Sequence, residues 1–239
     1  MNTILISGAN SHIGSYLAHI YEAEGKKLLL LYHKHKQRIS DLKSPQISVD
    51  LRDYEAVSRY LTNYLDNIDA MIHCAAVRSE DHQLLDETKP DIFYRVLEDN
   101  IYPAYNLLKL IIPSMRKRSF GRIILFSSDV SKTGLARGSA YAAAKAAIAN
   151  IAKSCALENA EYNVLVNCIA PGPVETNTNK DFTADYQQFR EQYFAKHLEQ
   201  AASKALVKKD ELKAVTDLLL SSNLRNLCGE EIVINGGKA

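Results

Sequence analysis

The stretch Ile4-Leu5-Ile6-Ser7-Gly8-Ala9-Asn10-Ser11-His12-Ile13-Gly14 decides the fold, because an apolar strand runs directly into a glycine-containing turn and then into a helical pattern. Glycines at such a turn let backbone N–H groups and the N-terminus of the following helix approach a pyrophosphate. Two glycines six residues apart also occur in ordinary strand-to-helix turns. The position in the first strand-helix unit favours a dinucleotide site, with candidate contacts at Gly8, Asn10, Ser11, His12, Ile13 and Gly14.

Seven short apolar runs alternate with longer amphipathic segments along the chain. The runs lie at 4–7, 28–32, 47–49, 70–74, 123–126, 164–169 and 231–234. Segments long enough for crossover helices lie between them, at 12–24, 54–65, 96–118 and 139–160. This pattern predicts an α/β fold of the Rossmann type, a doubly wound, parallel, seven-stranded sheet with helices on both faces. We expect a single domain over 1–239, with a helical, substrate-covering insertion around 176–204.

Composition excludes several classes of protein. The 239 residues are 46% hydrophobic and 24% charged, which is enough for a sizeable core and excludes intrinsic disorder. A net charge of +1 gives no global case for nucleic acid or an anionic membrane, so an anionic ligand must meet a local site. No apolar run reaches the roughly 18 residues of a membrane span, and the chain opens directly on a strand-like run. Four cysteines without a CxxC pair favour reduced thiols in a cytoplasmic protein, and no metal site is indicated.

The residues after the second and third strands bear on the choice of cofactor. No carboxylate follows the second strand, where an acidic residue would bind the free 2′-hydroxyl of NAD. The sequence there is Tyr32-His33-Lys34-His35-Lys36, and its cations suit a 2′-phosphate, although a solvated basic loop would look the same. After the third strand, Asp50 and Leu51 could meet the adenine amino group, or Asp50 could cap the next helix. We therefore expect NADPH or NADP⁺ rather than NAD, with His33 and Lys34 at the phosphate.

Tyr141 and Lys145 lie four residues apart, on one face of an alanine-rich helix. A nearby cation stabilises a phenolate and lowers the pKa of a tyrosine that must exchange a proton with an alcohol or carbonyl oxygen. Two further Tyr-x-x-x-Lys pairs, at 32/36 and 105/109, show that the spacing alone is not specific. Context selects Tyr141, because the preceding strand ends in Ser127-Ser128 and so presents a hydroxyl that can face it.

Together these residues resemble the short-chain dehydrogenase/reductase superfamily, in its shorter single-domain branch, over nearly the whole chain. The matching positions are Gly8, Gly14, Asp50, Asn100, Ser128, Tyr141, Lys145, Asn167, the run 171–176 and the closing Asn235-Gly236-Gly237. The resemblance implies that Ser128 hydrogen-bonds a substrate carbonyl, that Tyr141 transfers the proton and that Lys145 binds the nicotinamide ribose while lowering the pKa of Tyr141.

The same resemblance implies further roles around this centre. Asn100 would hold a water of a proton relay. The nicotinamide side would be lined by Pro171, Gly172, Val174 and Thr176, with Thr176 near the phosphates. The segment His73-Cys74-Ala75-Ala76 stands where the family has Asn-Asn-Ala-Gly, so Cys74, Ala75 and Ala76 are candidate cofactor contacts.

Three positions depart from the family pattern. His12 stands where the middle glycine of the fingerprint is usual, so a side chain that could donate a hydrogen bond occupies space where backbone would approach phosphate. Ser11 stands where NADPH-using relatives often have a basic residue, which leaves the basic tract after the second strand to carry the NADP preference alone. The segment 73–76 is closer to the longer, sugar-nucleotide-handling branch, whereas the chain length and the Asn-Ser-Tyr-Lys spacing favour the shorter one.

The resemblance implies an enzyme that transfers hydride from NADPH to a ketone, most like the 3-oxoacyl-carrier-protein reductases of fatty acid or polyketide biosynthesis. Two other interpretations stay open. One is an NAD(P)-dependent dehydrogenase of a free secondary alcohol, sugar or polyol. The other is a non-catalytic NADP(H)-binding sensor or scaffold, which the altered glycine loop supports and the complete catalytic set disfavours. Substrate identity, acyl-chain length and physiological direction cannot be read from the sequence.

A basic cluster could bind a carrier protein. It consists of Arg116, Lys117 and Arg118 with Arg122, just before the strand that delivers Ser128, and Arg137 follows that strand. We expect the cluster near the active-site mouth, where rim charges would attract an acidic acyl carrier protein. Cations at a helix C-terminus also complement the helix dipole and need no partner.

Two helical segments, 96–118 and 139–160, carry apolar residues on more than one face. Pro103 and Pro113 interrupt the first and predict a kink or stagger. A helix that is apolar all round needs packing partners on both sides, which deep burial in one subunit or assembly would supply. The family resemblance favours assembly into a homotetramer or homodimer.

Overall fold

Seven parallel strands form one sheet in the order β3-β2-β1-β4-β5-β6-β7 in the computed structural model, which describes residues 3–78, 83–176 and 183–238. The strands are β1 Thr3–Ser7, β2 Leu28–Tyr32, β3 Gln46–Ser48, β4 Ile68–His73, β5 Gly121–Phe126, β6 Val164–Pro171 and β7 Glu231–Ile234. All six neighbouring pairs are parallel. The predicted doubly wound sheet is confirmed.

Helices cover both faces of the sheet. They are α1 His12–Ala23, α2 Tyr54–Leu61, α3 Pro90–Lys117, α4 Val130–Thr133, α5 Ser139–Asn159, α6 Ala184–Gln200 and α7 Lys209–Leu220. One apolar core packs α2, α3 and α5 on one face, and a second packs α1 and α7 on the other. No helix in the described ranges is long and apolar enough to cross a membrane.

Helix α3 differs from its prediction at its start and in its interior. It begins at Pro90, six residues before the predicted start, because a proline fits the first turn of a helix, where its missing N–H has no intrahelical acceptor. The helix runs on through Pro103 and Pro113 without a break. A buried stripe that includes Leu107 and Ile111 holds it against the sheet and offsets the two lost backbone hydrogen bonds.

The carboxyl ends of β1 and β4 form the point at which strand order reverses, where open α/β sheets bind ligands. Gly8 has φ +64°, and a Cβ there would lie 2.4 Å from the backbone nitrogen of Ala75. Beneath this contact, Ser7 Oγ and His73 Nδ1 lie 2.7 Å apart, and burial lowers the pKa of His73 to about 3. A neutral, buried pair therefore fixes the floor of the crevice.

The basic cluster lies at the other end of the sheet. Arg122 is at the start of β5 and is fully buried, whereas Ser128 follows the end of that strand. Arg118 donates to the backbone oxygens of Leu65 and Ile68, at 3.1 and 2.5 Å. The sequence analysis expected the basic cluster beside the active-site mouth. That expectation is wrong, because the cluster and Ser128 lie at opposite ends of β5. Arg116 and Lys117 stay exposed at this far end.

The predicted insertion contains α6, which lies over the carboxyl ends of the strands. Positions 177–182 of that insertion lie outside the described residues. Thr176 precedes them, and Val174 forms an isolated parallel bridge to Val207 that holds the chain entering this region.

Candidate active site

One cleft of about 940 Å³ brings both halves of the predicted site together. Its lining includes the predicted residues Asn10, Ser11, His12, Ile13, Cys74, Ala76, Ser128, Tyr141, Gly172, Val174 and Thr176. Residues that the sequence analysis did not select also line it: His35, Gln37, Arg38, Arg78, Asp129, Tyr186, Phe189, Arg190, Tyr193 and Phe194. The fingerprint turn and the Ser128–Tyr141 centre therefore face a common space.

Ser128 and Tyr141 come from adjacent elements, the end of β5 and the first turn of α5. Ser128 Oγ lies 3.3 Å from Asp129 Oδ1 and 3.4 Å from the backbone oxygen of Pro171, and both oxygens can accept its hydrogen. Ser128 also lies close enough to the Tyr141 phenol to lower its pKa by hydrogen bonding. The pair can therefore meet a single oxygen atom of a ligand.

Burial is the main influence on Tyr141 and raises the pKa of its phenol above the ordinary value, with smaller contributions from Tyr186 and Asp129. Ser128 and Arg78 act in the lowering direction. This net direction is the opposite of the lowering that the Tyr-x-x-x-Lys spacing suggested, because the loss of solvent outweighs the favourable partners. The phenol of Tyr141 is thus protonated at neutral pH.

Lys145 lies behind Tyr141, one turn along α5, and is 3% exposed. Its ammonium donates to the backbone oxygen of Phe126 at 2.8 Å and is 5.6 Å from the centroid of the Tyr141 ring. Burial lowers the pKa of Lys145 to about 8. The cation therefore has one hydrogen bond within the described chain and faces the tyrosine, as the sequence predicted.

Asn100 lies within α3 and is buried next to the chain that leaves β4. Its Nδ2 donates to the backbone oxygens of Val77 and Val96, and its Oδ1 accepts from the Val77 N–H at 3.2 Å. These contacts hold the segment after Ala76 against α3. The relay-water role remains a prediction.

The fingerprint turn fits a dinucleotide. Ser11 caps α1 by accepting from the N–H of Gly14 at 3.0 Å, and a Cβ at Gly14 would lie 2.4 Å from the oxygen of Gly8. The side chain of His12 does not fill the turn, because its Nε2 accepts from Arg38 Nη2 at 3.3 Å. The N-terminus of α1 therefore stays open towards the cleft, where a pyrophosphate would bind.

Arg38 is the cation of the loop after β2 that the structure places in the cleft. Its N–H donates to Asn10 Oδ1 at 2.8 Å and its Nη1 to the Asn10 oxygen at 3.4 Å, so the loop folds back on the fingerprint. The two predicted phosphate contacts, His33 and Lys34, are exposed and do not line the cleft. His33 instead lies 3.9 Å from Asp50.

Asp50 and Leu51 follow β3 as predicted. The Asp50 carboxylate is 2.7 Å from Arg52 Nη2, which lowers the pKa of Asp50 to about 2. The cap of α2 is Asp53, which accepts from the N–H of Ala56 at 3.0 Å, so the capping alternative for Asp50 is wrong. Leu51 is buried in the core, which leaves only its backbone available to a ligand.

Helix α6 covers the Ser128–Tyr141 side of the cleft with aromatic rings. Phe189 and Tyr193 stack with centroids 6.4 Å apart, and Tyr186 lies 6.2 Å from Phe189. Arg190 Nη2 donates to Thr176 Oγ1 at 2.6 Å, and the guanidinium of Arg78 is 5.2 Å from the Tyr186 ring. The sequence signal for this cover was the polar, aromatic-containing stretch around 176–204, but only the fold shows which rings face the cleft.

A second cavity of about 910 Å³ adjoins the cleft, and Leu135, Phe189 and Tyr193 line both. It lies between the loop before α5 and helix α6, and its other lining residues include Arg137, Lys196 and His197. A substrate whose carbonyl met Ser128 and Tyr141 would therefore have room to extend between these two elements.

Comparison with known proteins finds similarity over nearly the whole chain. The model of a protein family described as enoyl-(acyl carrier protein) reductase matches residues 8–239. The 3-oxoacyl-[acyl-carrier-protein] reductase FabG of Salmonella typhimurium is 28% identical over 241 residues, covering 98% of this chain and 95% of that protein.

Solved structures show the same fold. A 3-oxoacyl-[acyl-carrier protein] reductase from Brucella melitensis superposes with a TM-score of 0.85 at 22% identity, covering 99% of this chain and 90% of that one. An NAD⁺-bound xylitol dehydrogenase gives 0.86 at 22% identity, with 99% and 98% coverage. Because the family model matches residues 8–239, the chain belongs to the short-chain dehydrogenase/reductase family, whose enzymes act on CH–OH and C=O groups.

Proposed function

We propose that the protein is an NADPH-dependent reductase of a ketone, and that the ketone is a 3-oxoacyl thioester carried by acyl carrier protein. The observation that supports the chemistry is the convergence of Ser128 and Tyr141 on one cleft with Lys145 buried behind them. The substrate class is supported by the similarity to FabG proteins and by the adjoining cavity, which would accommodate an extended acyl group.

Each residue has a separate task in carbonyl reduction. Ser128 Oγ donates to the carbonyl oxygen, and Tyr141 gives that oxygen its proton as negative charge develops. The ammonium of Lys145 stabilises the phenolate left on Tyr141 and orients the cofactor ribose. When bound, NADPH supplies the hydride that the carbonyl carbon receives. Burial keeps Tyr141 protonated, which suits the reductive direction.

Turnover of a panel of substrates tests this function. Purified protein with NADPH is expected to reduce 3-oxoacyl thioesters faster than free ketones, and Tyr141→Phe is expected to lose about 10²- to 10⁴-fold in kcat with little change in cofactor affinity. Tyr32→Phe, in one of the other Tyr-x-x-x-Lys pairs, is the matched control. Wild-type kcat in Tyr141→Phe would refute the proton-transfer role.

The second candidate function is oxidation or reduction of a free secondary alcohol, sugar or polyol. It is favoured by the polar lining of the adjoining cavity, which includes Gln188, Gln192 and Arg137. The discriminating comparison is kcat/KM for a carrier-bound 3-oxoacyl thioester, its small-thiol analogue and a polyol series. No advantage of the carrier-bound thioester would assign the protein to free small molecules.

The NADPH preference is supported by Arg38 and His12, which lie beside the fingerprint turn. A guanidinium on a phosphate contributes roughly 1.5 to 3 kcal/mol, or about tenfold to a hundredfold in affinity. Arg38→Ala is therefore expected to weaken NADPH by that factor and NADH much less, whereas Lys34→Ala leaves both nearly unchanged.

Binding measurements without turnover check this assignment. Calorimetry with 2′,5′-ADP and with 5′-ADP isolates the 2′-phosphate, and the preference for 2′,5′-ADP should disappear in Arg38→Ala. An equal affinity of the wild-type protein for both nucleotides would contradict the NADPH preference.

Assembly into a homodimer or homotetramer is also part of the proposal. Helices α3 and α5 carry exposed large side chains on their outer faces, including Tyr102, Tyr105 and Leu157. Pairing of these faces between copies would cover them. Light scattering that gave a monomer mass at micromolar concentration would exclude it.

A further inference from the structure

A buried carboxylate of the last strand contacts both sides of the turn that carries Ser128. Glu231 begins β7, and its side chain is 5% exposed. Its Oε1 accepts from the Ser127 hydroxyl at 2.8 Å and from the Ser131 hydroxyl at 2.6 Å. Its Oε2 lies 3.7 Å from the ammonium of Lys132. One carboxylate is therefore bonded to the residue before Ser128 and to the residue three positions after it.

The position of the Ser128 hydroxyl depends on the backbone of this turn. The acceptors of Ser128 Oγ lie at 3.3 and 3.4 Å, which is long for a hydrogen bond between oxygen atoms, so they orient the hydroxyl weakly. The start of the turn is fixed to β6, because the Asp129 N–H donates to the Pro171 oxygen at 3.1 Å. Its end is fixed to Ser128, because the Ser131 N–H donates to the Ser128 oxygen at 2.9 Å. Glu231 adds the side-chain contacts that close the turn.

The pairing of β7 with the sheet does not require this carboxylate. Four backbone register pairs join β7 to β6 between Glu231 and Ile234. Glutamate is disfavoured in strands, and burying a carboxylate costs free energy unless hydrogen bonds and a cation compensate it. An apolar residue in place of a buried ion pair is often neutral or stabilising. What the carboxylate adds at this position is therefore its set of contacts with the segment 127–132.

We propose that Glu231 is a positioning residue for carbonyl reduction, and that it fixes the turn that holds the Ser128 hydroxyl beside Tyr141. This rests on the proposed function, in which Ser128 donates to the substrate carbonyl. Glu231 is not among the described residues that line the cleft, so it acts through Ser128. A misplacement of about 1 Å at a reacting group can cost about 10²-fold in rate, which makes a fixed turn valuable.

Substitution of Glu231 tests the proposal through kcat and KM measured separately. Glu231→Met removes both acceptor oxygens and keeps most of the side-chain volume. We expect kcat for ketone reduction to fall by about 10- to 10²-fold. KM and NADPH affinity should change little, because the Ser128 contact strengthens in the transition state. Glu231→Gln keeps an oxygen acceptor for the two serines and should restore most of kcat. Glu230→Met, at the exposed neighbouring position, is the matched control and should behave as the wild-type protein.

A double-mutant cycle separates positioning from a general structural role. In a Ser128→Ala background, Glu231→Met should cause no further loss of kcat, because no hydroxyl is left to place. The full additional loss in that background, or a wild-type kcat in Glu231→Met, would overturn the proposal. Where Glu231→Met folds poorly, Ser131→Ala removes one partner of the carboxylate instead, and it should lower kcat only while Ser128 is present.

Amide hydrogen exchange tests the inference without turnover. The Ser131 N–H bonds to the Ser128 oxygen, so its exchange rate reports how firmly Ser128 is held. It should exchange about tenfold faster, or more, in Glu231→Met than in the wild-type protein, with the amides of β1 and β4 unchanged. Faster exchange supports the proposal even if no ketone in the panel is reduced. Unchanged exchange refutes it even if the wild-type protein is an active reductase.

Discussion

Arg122 and Lys145 are buried cations at opposite ends of β5, and they are held in opposite ways. Arg122, at the amino end, donates to the backbone oxygens of Gly121, Asn163, Ser221 and Leu224, and its guanidinium lies 4.5 Å from the centroid of the Phe120 ring. Lys145, at the carboxyl end, donates to one backbone oxygen, that of Phe126. Burial lowers the pKa of both groups.

The difference suits a structural role for Arg122 and, under the proposed function, a chemical role for Lys145. Arg122 ties β5 to the chain before β6 and to the chain after α7, so its donors are consumed by the fold. Lys145 keeps donor capacity for a ligand and carries a desolvation cost that the fold does not offset. Removing the first is expected to harm stability alone, and removing the second to harm turnover while improving stability.

Lys145→Met gives the largest expected effect. It removes the ammonium that stabilises the Tyr141 phenolate while keeping most of the side-chain volume, so kcat/KM for reduction should fall by about 10²- to 10⁴-fold. Cofactor affinity should fall too, as measured by fluorescence titration with NADPH. Lys153→Met, on an exposed position of the same helix, should match the wild-type protein.

Arg122→Met is expected to reduce the free energy of unfolding by about 3 kcal/mol, because several buried carbonyl groups lose their donor at once. Urea denaturation measures this, with Lys117→Met as the exposed control. The folded fraction should keep its kcat/KM. A loss of specific activity at unchanged stability would reverse the distinction between the two cations.

The pH dependence of stability gives the smallest effect and the most specific one. Below pH about 8, folding carries the cost of burying a charged Lys145. Between pH 8 and 10.5, Lys145 has released its proton in the folded protein but still holds it in the unfolded chain. The stability of the wild-type protein therefore rises with pH over this range. A pKa lowered by roughly two units corresponds to a cost of about 3 kcal/mol for burying the charged ammonium. The hydrogen bond from Lys145 to the Phe126 oxygen offsets about 1 kcal/mol of that cost, and Lys145→Met loses it.

Lys145→Met should therefore be more stable than the wild-type protein by about 2 kcal/mol below pH 8, and this advantage should disappear near pH 10. Urea denaturation of both proteins at pH 7 and pH 10 checks it. A stability gap that did not change with pH would show that Lys145 is not buried in charged form.

The sheet and the placement of Tyr141 beside Lys145 could be predicted because their signals are local. Strand and helix periods, the glycine turn at Gly8 and the four-residue spacing of Tyr141 and Lys145 are all readable within one or two elements. The predicted parallel sheet also implies the direction of β5. Because Arg122 lies at the start of this strand and Ser128 follows its end, that direction is enough to predict that the basic cluster lies at the opposite end of the sheet from Ser128.

The missed residues depend on contacts between distant parts of the chain. Arg38 reaches the site because its loop folds back on Asn10, and nothing in the run 32–36 indicates that fold. Asp129 follows Ser128 directly in sequence, but only the fold shows that it is buried and lines the cleft.

Helix α6 buries a single residue, His197, along its 17 positions. A helix with so little apolar burial contributes little to the free energy of folding. We therefore expect that α6 can detach from the sheet without unfolding either apolar core. Its amides should exchange with solvent through this partial opening, well before those of β1, β4 and β5. We therefore expect access to Tyr141 to depend on this local opening, so that the measured substrate affinity includes the free-energy cost of closing α6.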